Sequence, residues 1–191
     1  MDKAEIRQLI LQKRDSLTDD EIAKSSRTIF EKLTNRDEYI NADNILIYSS
    51  FGSEVRTDEI IPHSLAMGKK VFCPKVTDKK NGQMKFVRIY SLEDLKEGFH
   101  SIREPELMDT SEVFGATREF EFTLVVMPGV AFDKNRGRLG YNGGFYDRFL
   151  AANPDFSTIA IAHDVQVYDG ELPQEETDIK PDIVLTESEL Y

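Results

Sequence analysis

Asn44-Ile-Leu-Ile-Tyr-Ser-Ser50 is short, apolar and rich in β-branched residues, and it predicts a buried strand. Gly52 follows this strand, and the pattern then predicts a helix from Thr57 to Met67 that Gly68 would stop. Val71-Phe-Cys-Pro74 predicts another strand. A strand, a helix and a strand within about 30 residues are typical of a βαβ unit, in which two parallel strands are joined by a crossover. This stretch therefore predicts an α/β fold.

A second unit of the same kind follows further along the chain. Phe122-Thr-Leu-Val-Val-Met127 and Thr158-Ile-Ala-Ile-Ala162 predict buried strands. The residues from Phe145 to Ala151 predict a helix between them. Asp182-Ile-Val-Leu-Thr186 predicts a last strand, so the sheet should continue beyond the second unit.

The pattern is weaker between Lys75 and Glu121. Met84 to Tyr90 favours a strand, whereas Lys96 to Phe120 is interpreted mainly as loop. We expect this stretch to cross one edge of the sheet.

The N-terminal residues predict two helices. Ile6, Leu9 and Ile10 begin an apolar stripe at helical spacing within Lys3 to Leu17. Thr18-Asp19-Asp20-Glu21 has the form of a capping box and starts a second helix. We therefore predict one α/β domain over residues 1–191: a doubly wound, mostly parallel sheet flanked by helices, with an N-terminal helical hairpin.

The composition predicts a globular protein that acts on a small molecule. Hydrophobic residues make up 40% of the chain and charged residues 31%, a profile typical of chains that fold. The net charge of -11 and the lack of a basic stripe argue against nucleic acid as a partner. One cysteine forms no intramolecular disulfide, and no apolar run suits a membrane span or a signal peptide. We expect a cytoplasmic monomer with no membrane partner.

One long loop is the candidate for the chemistry. Residues Pro128 to Arg148 read Pro-Gly-Val-Ala-Phe-Asp-Lys-Asn-Arg-Gly-Arg-Leu-Gly-Tyr-Asn-Gly-Gly-Phe-Tyr-Asp-Arg and join a predicted strand to a predicted helix. Ligands of open α/β sheets bind beyond the carboxyl ends of the strands, where this loop begins. Loops this long are usually functional or disordered, and anchors such as Phe132 and Leu139 argue against disorder.

The residue types in this loop suit a bound phosphate. The glycines from Gly137 to Gly144 allow positive φ angles and a close approach of a ligand to the backbone, and Asn142 tolerates the left-handed conformation. Three arginines could contact phosphate oxygens: Arg136, Arg138 and Arg148. Asp147 is an acid beside the expected phosphate, as a Mg²⁺ ligand would be. The alternative is a tight structural turn in which Asp147 favours the helix dipole.

These residues resemble the 5-formyltetrahydrofolate cyclo-ligase family, also called 5,10-methenyltetrahydrofolate synthetase. The family has a strand that ends in Pro-Gly, then Ala-Phe-Asp, then Arg-Leu-Gly-x-Gly-x-Gly-Tyr-Tyr-Asp. Pro128-Gly129, Ala131-Phe132-Asp133 and the residues from Arg138 to Asp147 correspond to this pattern. Asn142 stands where the family usually has Gly, and Phe145 stands where it usually has Tyr.

The resemblance extends over nearly the whole chain and implies an ATP site. The family begins with a helix that carries Lys-x-x-x-Arg, and Lys3 and Arg7 stand in that relation on one helical face. Alone, two basic residues at this spacing are more often a solvated face. With the resemblance, Arg138 is the implied catalytic residue. The implied ATP-binding residues are Lys3, Arg7, Arg138, Leu139, Gly140, Tyr141, Asn142, Gly143, Gly144, Phe145 and Tyr146.

The resemblance also implies a folate site and a metal site. Glu54 follows the first strand where the family has an acid that contacts the folate, and Thr57 starts the next helix. The implied substrate-binding residues are Ser49, Glu54, Tyr141, Asn142, Gly143, Gly144 and Phe145. The implied Mg²⁺ ligands are Asp147 and Asp178. Without the resemblance, Glu54 would be interpreted as a surface carboxylate. For Asp178 the alternative of an exposed acid stays open even with the resemblance.

The implied reaction is the ATP-dependent conversion of 5-formyltetrahydrofolate to 5,10-methenyltetrahydrofolate with release of ADP and phosphate. ATP phosphorylates the formyl oxygen, which is otherwise a poor leaving group, and N10 attacks the activated carbon as phosphate departs. Such a reaction needs positioning and charge neutralisation more than a protein nucleophile. ATP and Mg²⁺ are the expected cofactors, and the folate is the expected partner.

Two other functions stay open at this point. A sugar-phosphate isomerase or CoA-transferase-like enzyme would need a general base near the loop, for which Asp133 and Asp147 are the candidates. A nucleotide-binding regulator would bind ATP without turnover. Cys73 is interpreted as a core residue, and His63, His100 and His163 lack metal-ligand spacing, although His163 ends a predicted strand.

Overall fold

A six-stranded sheet forms the centre of the computed structural model, which describes residues 1–98, 102–115 and 121–191. His100 lies outside the described residues. The strands are β1 (Asn44–Ile47), β2 (Lys70–Asp78), β3 (Gln83–Ile89), β4 (Leu95–Glu97), β5 (Arg103–Pro105), β6 (Thr123–Met127), β7 (Ala131–Phe132), β8 (Arg138–Leu139), β9 (Ser157–Ile161) and β10 (Ile183–Leu185). The helices are α1 (Lys3–Asp15), α2 (Asp19–Thr34), α3 (Asp37–Ile40), α4 (Ile60–Ala66) and α5 (Phe145–Ala151).

The strand order of the central sheet is β10-β9-β6-β1-β2-β3. Every neighbouring pair is parallel except β2 and β3, which are antiparallel. From the central pair β1 and β6 the chain moves to one edge through β2 and β3 and to the other through β9 and β10. The predicted doubly wound, mostly parallel sheet is thus confirmed. The loops after β1 and β6 leave from adjacent strands, at the switch point where such sheets bind ligands.

Apolar side chains cover both faces of the sheet because successive residues of a strand point to opposite sides. Ile45 and Ile47 of β1 join a cluster with residues of α2 and α4. Leu46 joins a second cluster, with Leu150 of α5. Burial on both faces explains why β1 is an unbroken apolar run rather than an alternating one.

The two N-terminal helices pack against different parts of the molecule. The predicted capping box is present at the start of α2, where Thr18 accepts from the amide of Glu21. The apolar side of α2 joins the cluster that contains Ile45. In contrast, Ile6 and Ile10 of α1 pack against residues of the long loop after β6. This packing places α1 over the predicted phosphate-binding loop.

Several predicted boundaries differ from the structure. β2 continues to Asp78, beyond the predicted end at Pro74. The helix that was expected from Thr57 begins at Ile60, because Thr57 is held at the end of β1 by two hydrogen bonds with Ser50. The interpretation of Lys96 to Phe120 as loop missed part of β4 and all of β5, which pair as a small antiparallel sheet. Within the described ranges, no helix combines the length and apolar character needed to span a membrane.

Candidate active site

The long loop after β6 is built around a buried carboxylate. Asp133 is 1% exposed and accepts hydrogen bonds from the backbone amides of Asn135, Gly137 and Leu172 at 2.9, 2.7 and 2.8 Å. The first two bonds close the hairpin of β7 and β8, which sequence analysis did not predict, and the third joins this hairpin to Leu172. Asp133 is therefore a structural residue, and it does not offer the general base that an isomerase or transferase would need.

A cavity of about 570 Å³ brings together most of the residues predicted to bind phosphate and metal. They come from four separate segments: α1, the loop around β8, α5 and the loop before β10. The predicted residues in its lining are Lys3, Arg7, Arg138, Leu139, Gly140, Asn142, Gly143, Gly144, Asp147 and Asp178. The predicted residues outside the lining are Ser49, Glu54, Tyr141, Phe145 and Tyr146.

The basic residues of α1 face this cavity. Arg7 Nε donates to the carbonyl of Gly140 at 2.8 Å. Lys3 Nζ lies 2.6 Å from Asp178 Oδ2 and 3.0 Å from Glu175 Oε1. Burial alone would raise the pKa of Asp178, but the hydrogen bonds from Lys3 and from the amide of Glu175 hold that pKa below its usual value. The alternative of a solvated face for Lys3 and Arg7 is therefore wrong.

Arg138 is buried and held by an ion pair. Its Nη2 lies 2.8 Å from Asp147 Oδ1, and its guanidinium carbon lies 5.9 Å from the centroid of the Tyr146 ring. Its Nε is buried and has no hydrogen-bond partner among the described residues. Asp147 Oδ1 also accepts from the amide of Ile179 at 3.1 Å, which brings Asp147 next to Asp178. Arg138 thus has a fixed position, and its Nε–H has no acceptor in the described structure.

The backbone between β8 and α5 offers free donors. Asn142 and Gly144 have φ angles of 73° and 63°, as the prediction of a left-handed turn requires. In the described part of the chain, the amides of residues 141–144 donate to no acceptor. No side chain caps the start of α5. Free amides are typical of an anion-binding turn, whereas a closed structural turn would use them in its own hydrogen bonds.

Two other arginines of the loop differ in position. Arg148 lines the cavity and donates to the carbonyl of Gly143 at 2.7 Å. Arg136 is exposed and donates to the carbonyl of Asp182, away from the cavity lining. The hypothesis that Arg136 contacts phosphate is therefore wrong for this structure, because its guanidinium fastens the loop to β10.

Glu54 lies in a buried polar cluster after β1. It is 8% exposed, and it accepts from the hydroxyl of Tyr141 at 2.8 Å and from the amide of Phe51 at 2.9 Å. Burial raises its pKa, although these two donors and the charge of Arg14 act against the rise. The alternative of a surface carboxylate is thus wrong. Ser49, at the end of the same strand, is buried with no partner for its Oγ among the described residues.

Three tyrosines surround Glu54. Burial raises the pKa of Tyr48, Tyr141 and Tyr146, and the charge of Glu54 raises each pKa further. The hydroxyl of Tyr146 is buried and has no partner in the described structure. Ser49, Glu54 and Tyr146 therefore present buried polar atoms beside aromatic rings, an arrangement that suits a flat ligand with hydrogen-bonding edges.

Phe145 packs beneath the glycine turn. A Cβ on Gly143 would lie 2.3 Å from a ring carbon of Phe145, so the turn requires glycine at this position. The aromatic ring therefore supports the backbone of the turn from below.

Sequence analysis missed Arg14. This residue of α1 is buried and donates to Ser53 and Tyr141. The signal was present, because Arg14 lies two helical turns after Arg7 and so shares its face. Cys73 is a buried core residue, as expected, and burial raises its pKa. His163 is also buried and outside the cavity lining, with Nδ1 2.7 Å from Ser25 Oγ.

Comparison with known proteins agrees with this arrangement. The sequence model of the 5-formyltetrahydrofolate cyclo-ligase family matches residues 1–187. The chain belongs to this family. It is therefore an enzyme of the ligase class.

Two relatives and one solved structure match this cyclo-ligase family member over nearly their full lengths. The chain is 31% identical to a probable 5-formyltetrahydrofolate cyclo-ligase of Caenorhabditis elegans, over 98% of this chain and 93% of the relative. It is 29% identical to the 5-formyltetrahydrofolate cyclo-ligase of Escherichia coli K12, over 96% and 99%. The NMR structure of Aquifex aeolicus 5,10-methenyltetrahydrofolate synthetase has a TM-score of 0.81 and 28% identity, over 100% of this chain and 92% of that one.

Proposed function

We propose that this protein catalyses the ATP-dependent conversion of 5-formyltetrahydrofolate to 5,10-methenyltetrahydrofolate, with release of ADP and phosphate. The cavity of about 570 Å³ carries the proposal, because cations, free backbone amides and carboxylates from distant segments line it together. The cluster around Glu54 adjoins it through Tyr141, which follows Gly140 in the loop. The predictions of a cytoplasmic monomer without a nucleic-acid partner belong to the same proposal.

The phosphates of ATP are assigned to the cavity. Lys3 and Arg7 supply charge from α1, and the free amides of residues 141–144 supply neutral donors from the loop. The remaining residues assigned to ATP flank these donors: Arg138, Leu139, Gly140, Phe145 and Tyr146. A net charge of -11 makes this local concentration of donors the main attraction for a polyphosphate.

Asp147 and Asp178 fit a Mg²⁺ ion that accompanies the nucleotide. Mg²⁺ in nucleotide sites is usually held by one or two carboxylates together with phosphate oxygens and waters. Both acids line the cavity, and Asp147 bonds to the residue after Asp178. No group of three potential metal-ligating side chains forms within the described ranges, so phosphate oxygens and waters would have to complete the coordination. The ion would neutralise phosphate charge.

The folate is assigned to the cluster around Glu54. The Glu54 carboxylate accepts hydrogen bonds from ring N–H groups, and the free hydroxyls of Ser49 and Tyr146 supply further contacts. Tyr141 contacts Glu54 while its neighbours Gly140 and Asn142 line the cavity. The formyl group can therefore meet the phosphoryl group where the two sites adjoin. The residues assigned to the folate are Ser49, Glu54, Tyr141, Asn142, Gly143, Gly144 and Phe145.

The reaction then needs positioning rather than a protein nucleophile. The formyl oxygen takes the terminal phosphoryl group, and ADP leaves. N10 attacks the activated carbon and loses its proton, and phosphate departs with the former formyl oxygen. Arg138, fixed by Asp147, neutralises negative charge on the phosphoryl group while it moves.

The deciding experiment mixes the full chain with ATP, Mg²⁺ and 5-formyltetrahydrofolate and follows the absorbance of the methenyl product. We expect product to form only when all components are present, with one ADP per methenyl group. A protein that binds ATP without forming product would be a nucleotide-binding regulator instead.

A further inference from the structure

Arg14 joins the two loops that flank the switch point of the sheet. It is only 4% exposed. Its Nε donates to Ser53 Oγ at 2.9 Å, in the loop after β1, and its Nη1 donates to the hydroxyl of Tyr141 at 2.8 Å, in the loop after β6. The guanidinium carbon also lies 5.8 Å from the centroid of the Tyr141 ring. One buried cation thus fixes both loops relative to α1.

Two successive hydrogen bonds link Arg14 to Glu54 through the Tyr141 hydroxyl, and the donor and acceptor of each are fixed. An arginine only donates, so the Tyr141 hydroxyl must accept from Arg14. The single proton of that hydroxyl is then left for Glu54, whose Oε1 lies at 2.8 Å. Asp15 competes only weakly for the charge of Arg14, because its Oδ1 lies 3.9 Å from Arg14 Nη2 and its side chain is 62% exposed. The charge of Arg14 therefore acts on Glu54 through Tyr141.

We propose that Arg14 is a positioning residue, which orients Tyr141 and keeps Glu54 charged for binding the folate. This inference rests on the proposed function, in which Glu54 contacts the folate. Arg7, on the same face of α1, donates to Gly140, the neighbour of Tyr141. A single helix face therefore holds two consecutive loop residues, one lining the cavity and one contacting Glu54.

The electrostatic surroundings of Glu54 make Arg14 the critical cation. Burial raises the pKa of Glu54, and the groups that lower it are the Phe51 amide, Tyr141 and Arg14. The other titratable groups that face Glu54 are Tyr48 and Tyr146, with His163 beside its backbone. Since neutral tyrosines supply no positive charge, loss of Arg14 raises the pKa of Glu54 further.

The test measures binding of 5-formyltetrahydrofolate by calorimetry across a range of pH. The variants are Arg14→Gln, Tyr141→Phe and the two combined. Each single variant should bind the folate roughly tenfold to hundredfold more weakly, the loss expected for a hydrogen bond to a charged group. Affinity should also be lost at a higher pH than in the wild type, because Glu54 takes up its proton earlier. The combined variant should have the same affinity as whichever single variant binds the folate less tightly, because both residues act through the same series of hydrogen bonds.

Arg56→Gln is the matched control. The Arg56 side chain pairs with Asp19 at the surface. It takes no part in the hydrogen bonds that link Arg14, Tyr141 and Glu54. The variant should bind the folate as the wild type does, with the same pH profile.

The outcomes separate this inference from the proposed function. A wild-type protein that binds no folate at any pH overturns both. A wild type that binds, with Arg14→Gln unchanged in affinity and pH profile, overturns the role of Arg14 alone, whatever Tyr141→Phe does. If Arg14→Gln does not fold, Arg14→Lys takes its place. It keeps the charge without the planar fork, so the affinity should fall while the pH profile stays near that of the wild type, and an unchanged affinity overturns the role of Arg14.

Discussion

Lys3 Nζ lies 2.6 Å from Asp178 Oδ2, although 175 positions separate the two residues in the chain. Lys3 comes from the first turn of α1, and Asp178 comes from the loop before β10. Both line the proposed nucleotide cavity. A metal ion at Asp178 and the ammonium of Lys3 would therefore compete for the same carboxylate.

This competition predicts opposite effects on ATP and on Mg²⁺ when Lys3 is replaced. Lys3→Met should raise the KM for ATP about tenfold or more, because one charged contact to phosphate is lost. It should lower the Mg²⁺ concentration that gives half-maximal activity, because Asp178 is released. Steady-state rates over a Mg²⁺ titration measure both quantities. Asp178→Asn is the paired variant and should need more Mg²⁺; a higher Mg²⁺ requirement in Lys3→Met would contradict the assignment.

Replacement of Arg138 should affect turnover more than folding. Arg138→Ala should reduce kcat by about a hundredfold or more, as loss of a fixed transition-state donor does. The free energy of unfolding should fall by about 1–3 kcal/mol, because Asp147 loses its partner. Arg138→Lys keeps the charge but not the planar fork, so its kcat should lie between those of the wild type and of Arg138→Ala. Rates and urea unfolding check these values, and near-normal turnover in Arg138→Ala would refute the catalytic role.

The central strands of the sheet were predictable because they are apolar runs, which are recognised from their own composition without knowledge of their contacts. β1, β6 and β9 are almost wholly buried, so composition alone marks them. The hairpin of β7 and β8 was not predictable, since strands of two residues have no period and a buried carboxylate, Asp133, sets their geometry.

The candidate site was predictable only in part, for a related reason. Lys3 and Arg7 could be assigned from a motif, and the cavity gathers them with the glycine turn. Arg14 was not assigned to the site, because its partner Tyr141 lies 127 positions away. Contacts at that separation depend on how α1 packs on the loop, which local spacing does not specify.

Asp133 should be essential for stability rather than for chemistry. Asp133→Asn replaces one carboxylate oxygen with an NH₂ group that cannot accept from the surrounding amides. We expect the free energy of unfolding to fall by about 1–3 kcal/mol, the scale for a buried donor left unsatisfied. Asp169→Asn is the control, because Asp169 is fully exposed. An Asp133→Asn protein of normal stability without activity would instead support a general base and the isomerase or transferase hypothesis.

His163 should make the protein less stable in mild acid. Burial lowers its pKa to about 4, against the opposing effect of the backbone carbonyls of Glu54 and Ser53. The unfolded chain, with a histidine pKa of about 6.5, takes up a proton that the folded chain does not. The free energy of unfolding should therefore decrease as the pH falls below about 6.5, by roughly 2 kcal/mol at a pH of about 5. The loss should be complete once the pH has passed the folded pKa.

His163→Asn removes this titration, so its unfolding free energy should change less between about pH 7 and about pH 5 than that of the wild type. His63→Asn is the matched control, because it removes a histidine from α4 and leaves His163 in place. Urea unfolding at several pH values measures the slopes. The same slope in His163→Asn and in the wild type would show that His163 is not the group that titrates, whereas a flatter slope in His163→Asn alone assigns the acid sensitivity to this buried imidazole.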